Sequence, residues 1–333
     1  MRTSSAGSLL VVTLWLVAIL SALAIAVARY LSIEVRVATY HETRERTKAL
    51  ARGGVYLAIQ RLWQDAQAEP YDWLGDDWAA APKAPAEQPG RWVIFTDEAE
   101  ASGDAASRSR VEIQITDLER SINLNAATKE TLARPELTGS AEMAQAIIDD
   151  RDPPDESEPT VDDPPYYPKN GPFAALEELL DIPGDADVFP RLRQVTFAAL
   201  DAVPALPEVN VNTAQRDVLV ALGADPTTVE RLLASRPGPD GLWGTEDDCK
   251  ADDISRIIET FTNCAFGGDR RPVEELHLLN GRSAVFAVTS SMFRIHSEAF
   301  MGSPSVIHRI DAVVKRSAQG QDVTVDILSW RDA

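Results

Sequence analysis

Residues 7–28 read GSLLVVTLWLVAILSALAIAVA, and this stretch decides how the rest of the chain is to be folded. From Leu9 to Ala28 there is no charge, no proline and no glycine. Twenty such residues at ~1.5 Å rise per residue span ~30 Å, the thickness of a bilayer's hydrocarbon core. The run is too long for the apolar core of an ordinary secretory signal. A cut on its cytoplasmic side, at Gly7, would leave the helix on the mature protein. Arg2 is the only charge before the run, which places that end in the cytoplasm and the bulk of the chain across the membrane.

Outward from this segment the helical pattern continues. ARYLSIEVRVATYHETRERTKALARGGVYLAIQRLWQDA holds no proline before Pro70. Ala49, Val55, Ile59 and Leu62 recur at roughly helical spacing. One long helix is expected to leave the membrane and lay its second half on a soluble head, with Gly53-Gly54 as a weak point where it bends. Pro70 to Gly90 reads as a loop rich in proline, alanine and acid. Arg91–Thr96 and Arg110–Thr116 read as strands, the second alternating Val111, Ile113, Ile115. From Leu118 to about Ser283 the texture is helical. Strands then return as MFRIHSEAF, VIHRIDAVVKR and DVTVDILSW, with SAQGQ as a hairpin turn between the last two. Strands, helices and strands again predict one sheet interrupted by an insertion.

The insertion carries a repeat. Ile122-Asn123-Leu124-Asn125-Ala126-Ala127 recurs as Val209-Asn210-Val211-Asn212-Thr213-Ala214, 87 residues later. Asn125 and Asn212 are expected as N-caps of the helices that follow, with Gln215 completing a capping box. The pattern is similar to helix-hairpin-helix units of DNA-binding proteins. ARPELTGSAE, between Leu132 and Met143, lacks the paired-glycine hairpin and carries little of the positive charge that contacts phosphate. The formal net charge of -20 also repels a phosphate backbone, so no nucleic-acid partner is expected.

Two loops are dense in oxygen donors. Pro237–Asp248, PGPDGLWGTEDD, offers Asp240, Glu246, Asp247 and Asp248, with Gly241 and Gly244 for tight turns. That chemistry suits Ca²⁺, which takes six to eight oxygens. Asp149–Tyr167 offers Asp150, Asp152, Asp155, Asp162 and Asp163, and reads equally as a solvated excursion. The two cysteines, Cys249 and Cys264, are expected to pair in an oxidising compartment, two buried thiols being the other reading. No catalytic motif is present: there is no G-x-S-x-G, P-loop, H-E-x-x-H or C-x-x-C. The four histidines are scattered along the chain, and no enzyme is expected.

These parts together resemble the minor pseudopilin K family of type II secretion. The resemblance rests on the short leader ending in Gly7, the apolar helix, NLNAAT, NGPFAALEELLDIPG, VNVNTA and the closing LSW. It implies an α+β fold: a pilin-like N-terminal helix on an antiparallel sheet, with a large all-α, helix-hairpin-helix or SAM-like insertion. The expected divisions are a leader over 1–7, the helix over 8–70, a head from 71–118 plus 284–333, and an insert over 119–283. The resemblance further implies cleavage between Gly7 and Ser8 by prepilin peptidase, methylation of Ser8 and structural calcium. Pilin-like chains carry Glu at the fifth mature position; here it is Val12, as in the K family. A bulky insert and the absent Glu imply a place at the pseudopilus tip, with minor pseudopilins I and J capping the major pseudopilin. The expected location is the inner membrane, single-pass, with most of the chain in the periplasm. A membrane-anchored helix-hairpin-helix-type DNA receptor and a calcium-stabilised periplasmic protein are the competing readings.

Overall fold

The computed structural model describes residues 6–79, 91–95, 109–153, 168–198, 209–256, 260–261, 264, 286–302, 305–319 and 322–332. Helix α1 (Ala6–Ala68) runs without interruption from the apolar stretch into the head. Its first half is bare: Leu10, Trp15 and Leu20 are all well over half exposed. Its second half buries Ala51, Val55, Ala58 and Leu62, a set at i, i+4, i+7 and i+11 that forms one helical face.

That face lies on a five-stranded antiparallel sheet. In spatial order its strands are β1 (Arg91–Phe95), β2 (Arg110–Asp117), β7 (Met292–Met301), β8 (Val306–Gln319) and β9 (Asp322–Asp332). Val111, Ile113, Ile115, Phe293, Ile295, Ile310, Ala312 and Val314 turn inward and, with Trp78 and Trp92, fill the head core. Alternation on the central strands is what the period of two requires when one face meets a helix. Strands β2 and β7 are neighbours in space though far apart in sequence, with Ile115 opposite Ile295. The insertion leaves and re-enters at that junction.

The Gly53-Gly54 pair does not break α1. Gly54 instead lets the helix approach the sheet: a Cβ there would sit 2.3 Å from Ser297 Oγ and 2.8 Å from Val111 Cγ1. Gly53 faces open space. Ser297 Oγ uses the closeness to donate to the Ala51 carbonyl at 2.9 Å.

The insert has its own core, with Ile122, Leu124, Leu132, Ile147, Phe173, Leu192, Val209, Val211, Leu219, Val229 and Phe286 buried in it. Its elements are β3 (Ile122–Asn123), α2 (Lys129–Leu132), α3 (Ala141–Arg151), α4 (Phe189–Val195), β4 (Thr196–Phe197), β5 (Val209–Asn210), α5 (Arg216–Ala221), α6 (Pro226–Ser235) and β6 (Phe286–Ala287). To the expected helices the structure adds two short parallel pairings, β3 with β4 and β5 with β6. Each strand of a repeat is therefore pinned by a segment remote in sequence.

Candidate functional site

The two repeats use their asparagines alike, and not as helix caps. In the first, Asn123 Oδ1 accepts from Asn125 N at 3.0 Å. Asn125 then brackets Phe173, accepting from its N–H at 2.8 Å and donating to its carbonyl at 2.9 Å. In the second, Asn210 Oδ1 accepts from Asn212 N at 2.9 Å, and Asn212 brackets Ala251 at 2.8 and 2.9 Å. The expected caps are corrected accordingly: Thr128 caps α2 with its side chain, and Gln215 precedes α5 with no side-chain cap bond. A short amide that donates and accepts suits a buried loop backbone that has one group of each kind to satisfy.

An arginine closes each repeat. Arg151, ending α3, donates to the carbonyls of Leu124 and Ala127 at 3.1 and 2.7 Å. Arg236, after α6, donates to those of Ala214 and Val211. Arg236 is buried, and burial, aided by Arg120, pulls its guanidinium down to about 9.

The second repeat also locks the insert to the head. Asn210 and Asn212 both donate to the Asp72 carbonyl, at 3.1 and 3.2 Å. Asp72 N donates to the Val288 carbonyl at 2.8 Å, and its Oδ2 accepts from Ser290 N at 2.7 Å. Asp117, at the end of β2, accepts from Thr213 Oγ1 and Ser290 Oγ. Burial pushes Asp117 up to about 6, opposed by those two hydroxyls. On the head side Arg316 of β8 donates to both Asp72 oxygens, to Asp65 Oδ2 at 2.9 Å and to the Ser290 carbonyl at 2.9 Å.

The hub of this network, Tyr71–Trp78, falls in the segment that the sequence presents as a plain loop. Trp78 packs edge-on against Phe293 at 5.1 Å, and Trp73 against Trp243 at 6.4 Å. Lys250 Nζ stands 4.0 Å over the Trp73 ring. Asp76 Oδ2 accepts from Trp73 N and Trp78 Nε1 at 2.8 and 3.1 Å. The available signal is two tryptophans and three aspartates in eight residues, too rich for a solvated linker.

Asp65, Asp72 and Asp76 bring carboxylate oxygens within 4.8 Å of one another. Burial, then Asp72, pushes Asp65 up to about 7, and burial, then Asp65, pushes Asp76 up to about 9. Among the described residues no such convergence occurs in the 237–248 loop. There Gly238, Gly241 and Gly244 all take positive φ, which lets the carboxylates fold back on the loop's own backbone. Asp248 Oδ2 accepts from Gly244 N and Thr245 N at 2.7 and 2.9 Å. Asp240 Oδ1 accepts from Leu242 N, and Asp247 from Thr245 Oγ1 and Asp240 N. The Thr245 hydroxyl holds Asp247 below the usual carboxylate range, whereas burial raises Asp248. Asp248 Oδ1 is buried without a partner among the described residues. Glu246 instead lines a hollow between this loop and the end of α1. Cys249 and Cys264 are joined, Cα to Cα 5.9 Å, directly after the loop.

In the second acidic stretch, buried Asp150 accepts from Lys169 N at 2.6 Å, and Asp152 pairs with Arg151 at 2.7 Å. Asp155, Asp162 and Asp163 lie outside the described residues. Gly7 and Ser8 sit in the first turns of α1, and α1 is long and apolar enough to cross a membrane.

No protein-family profile matches the chain, and no curated protein matches its sequence. Its structure does match a solved one. Across 90% of its length, with a TM-score of 0.56 and 16% identity, it follows 99% of a chain in the crystal structure of the GspK-GspI-GspJ complex from the enterotoxigenic Escherichia coli type 2 secretion system. The long helix on an antiparallel sheet is thus a fold shared with a chain of that pseudopilin complex.

Proposed function

We propose that this chain is a minor pseudopilin of a type II secretion system, placed at the tip of the pseudopilus. The observation that carries the reading is the near-complete coverage of a chain from a GspK-GspI-GspJ complex, insert included. Two features of this sequence support the tip. Val12 offers no carboxylate where a shaft subunit would place Glu against a neighbour's terminal amine inside the membrane. The insert, with a core of its own beside the head, would obstruct a subunit stacked above it. Prepilin peptidase would cut between Gly7 and Ser8, leaving α1 as a single-pass inner-membrane anchor with the body in the periplasm. The chain would join minor pseudopilins I and J, cap the major pseudopilin and help to start the filament that drives folded proteins outward. Co-expression of the three minor pseudopilins and affinity capture through this one tests the partnership. Recovery of I and J in fixed proportion is expected; recovery of this chain alone counts against it.

Structural calcium belongs to the same reading. Asp240, Glu246, Asp247 and Asp248 offer only hard oxygen donors, and the buried, unpartnered Asp248 Oδ1 fits a divalent cation. Calcium would neutralise a loop whose aspartates are gathered by backbone N–H groups and the Thr245 hydroxyl. Calcium at ~100 times its Kd raises the unfolding free energy by about 2.7 kcal/mol through linkage. A rise in Tm of the chelator-treated protein on adding calcium, lost in Asp248→Asn, is expected. An unchanged Tm in the parent protein counts against the loop.

A further inference from the structure

The outer face of the sheet, away from α1, does not open freely to solvent where it meets the insert. A cleft of about 540 Å³ lies there. Strands β2, β7, β8 and β9 form one wall; residues 174–177 and the end of α4 with β4 form the other. Four arginines line it: Arg120, Arg193, Arg294 and Arg331. The formal charge of the chain is -20, so such a concentration of guanidinium is unexpected by composition. Several arginines elsewhere find carboxylates: Arg46 pairs with Glu42, Arg216 with Glu230, Arg256 with Asp252, Arg309 with Glu298 and Arg316 with Asp65, while Arg191 and Arg236 donate to backbone carbonyls. None of the four cleft arginines forms a salt bridge with a described carboxylate. Arg120 Nε is moreover buried with no acceptor among the described residues. Of the cleft carboxylates, Asp117 acts on Arg120 through its charge alone, without a salt bridge. Asp117 is engaged by Thr213 and Ser290, and Asp311 by His296 Nδ1 at 2.9 Å. Glu177 remains on the insert wall.

We propose that this cleft is a docking site for an acidic segment of another polypeptide, whose carboxylates are received by Arg120, Arg193, Arg294 and Arg331. Planar guanidinium forks take carboxylates in paired hydrogen bonds. A peptide is favoured over nucleic acid by charge. A long polyanion brings many phosphates against the acidic remainder of the molecule, whereas a short acidic stretch places its charge only in the cleft. The site rests on the cleft's own chemistry and holds whether or not the chain sits at a pseudopilus tip.

The test is fluorescence anisotropy of a fluorescein-labelled hexaglutamate peptide titrated with the full chain in detergent, at about 150 mM salt, where charges are screened beyond about 8 Å. Saturable binding is expected, weakened about tenfold or more, equivalent to about 1.4 kcal/mol, in Arg193→Glu/Arg294→Glu. Both side chains are exposed, so the fold is expected to persist, with Tm as the check. Arg193→Gln/Arg294→Gln, which removes charge without reversing it, is expected to weaken binding less. Arg46→Glu, on α1 and outside the cleft, is expected to bind as the parent does. Failure of the peptide to bind the parent chain overturns the proposal, as does equal binding by the cleft variants. Tighter binding of labelled oligothymidylate, lost in the same variants, overturns it in favour of a phosphate site.

Discussion

Arg316 reaches two carboxylates, Asp65 and Asp72, in the interior where the long helix ends, and all three side chains are less than a tenth exposed. Removing the cation leaves uncompensated buried charge, so Arg316→Leu is expected to cost about 3–5 kcal/mol in chemical denaturation. Asn212 illustrates the same logic for neutral groups. Asn212→Ala deprives the Ala251 carbonyl and N–H of their partner and the Asp72 carbonyl of one of its two donors, an expected loss of about 1–3 kcal/mol. The carboxylates of this region also set a pH dependence. Asp117, Asp65 and Asp76 are raised to about 6, about 7 and about 9. The folded chain therefore binds more protons than the unfolded chain between the ordinary carboxylate range and those values. Stability from these groups is full below about pH 4 and is lost as pH rises through about 6 to about 9. Asp76→Asn keeps an acceptor for Trp73 N and Trp78 Nε1 but cannot ionise. It is expected to flatten the fall in Tm between pH 7 and 9; an unchanged slope would show that Asp76 ionises without cost.

Helix α1 carries two adjacent glycines with opposite duties, and the pair makes a sharp test of how the helix meets the sheet. A methyl at Gly54 would collide with Ser297 and Val111, so Gly54→Ala is expected to destabilise by about 1–3 kcal/mol. A methyl at Gly53 meets nothing, so Gly53→Ala is expected to stabilise by about 0.5–1 kcal/mol. Equal effects would mean that α1 does not approach the sheet at Gly54. The bond between Cys249 and Cys264 closes a short loop behind the acidic turn. In the chain-entropy account a loop of about 15 residues contributes about 3 kcal/mol, so a reductant is expected to lower the Tm of the insert. At this scale the elements are legible in the sequence because each has a period: Val111, Ile113 and Ile115 alternate as a strand face, and Val55 and Leu62 repeat on a helix face, although Ala49 and Ile59, expected beside them, are exposed and half-buried while Ala51 and Ala58 take the core positions. The role of Tyr71–Trp78 is not legible, because its contacts have no period. Asp72 meets Arg316 and Ser290, both more than 200 residues away in sequence. The repeat asparagines hide their role for the same reason. Local spacing suggests caps, while the groups they satisfy, Phe173 and Ala251, lie 48 and 39 residues off.

At the scale of the whole molecule the chain is an apolar helix bearing a sheet head, with an insert latched to that head through Asp72, Asp117 and the second repeat. The latch gives the insert a fixed seat beside the sheet, which a freely tethered domain would lack. Among the candidate ligands, the oxygen-donor chemistry of Asp240, Asp247 and Asp248 is readable from sequence. That Asp150 meets Lys169 N is not, because it depends on how the backbone folds around it. That the first helix is a processed pilin-type segment is the central proposal, and one measurement addresses it most directly. Mass spectrometry of the chain extracted from membranes of cells with active prepilin peptidase reads its amino terminus. The account predicts a chain that begins at Ser8 with the apolar helix retained. A terminus still at Met1, or one that has lost the helix through a cut beyond Ala28, would contradict it.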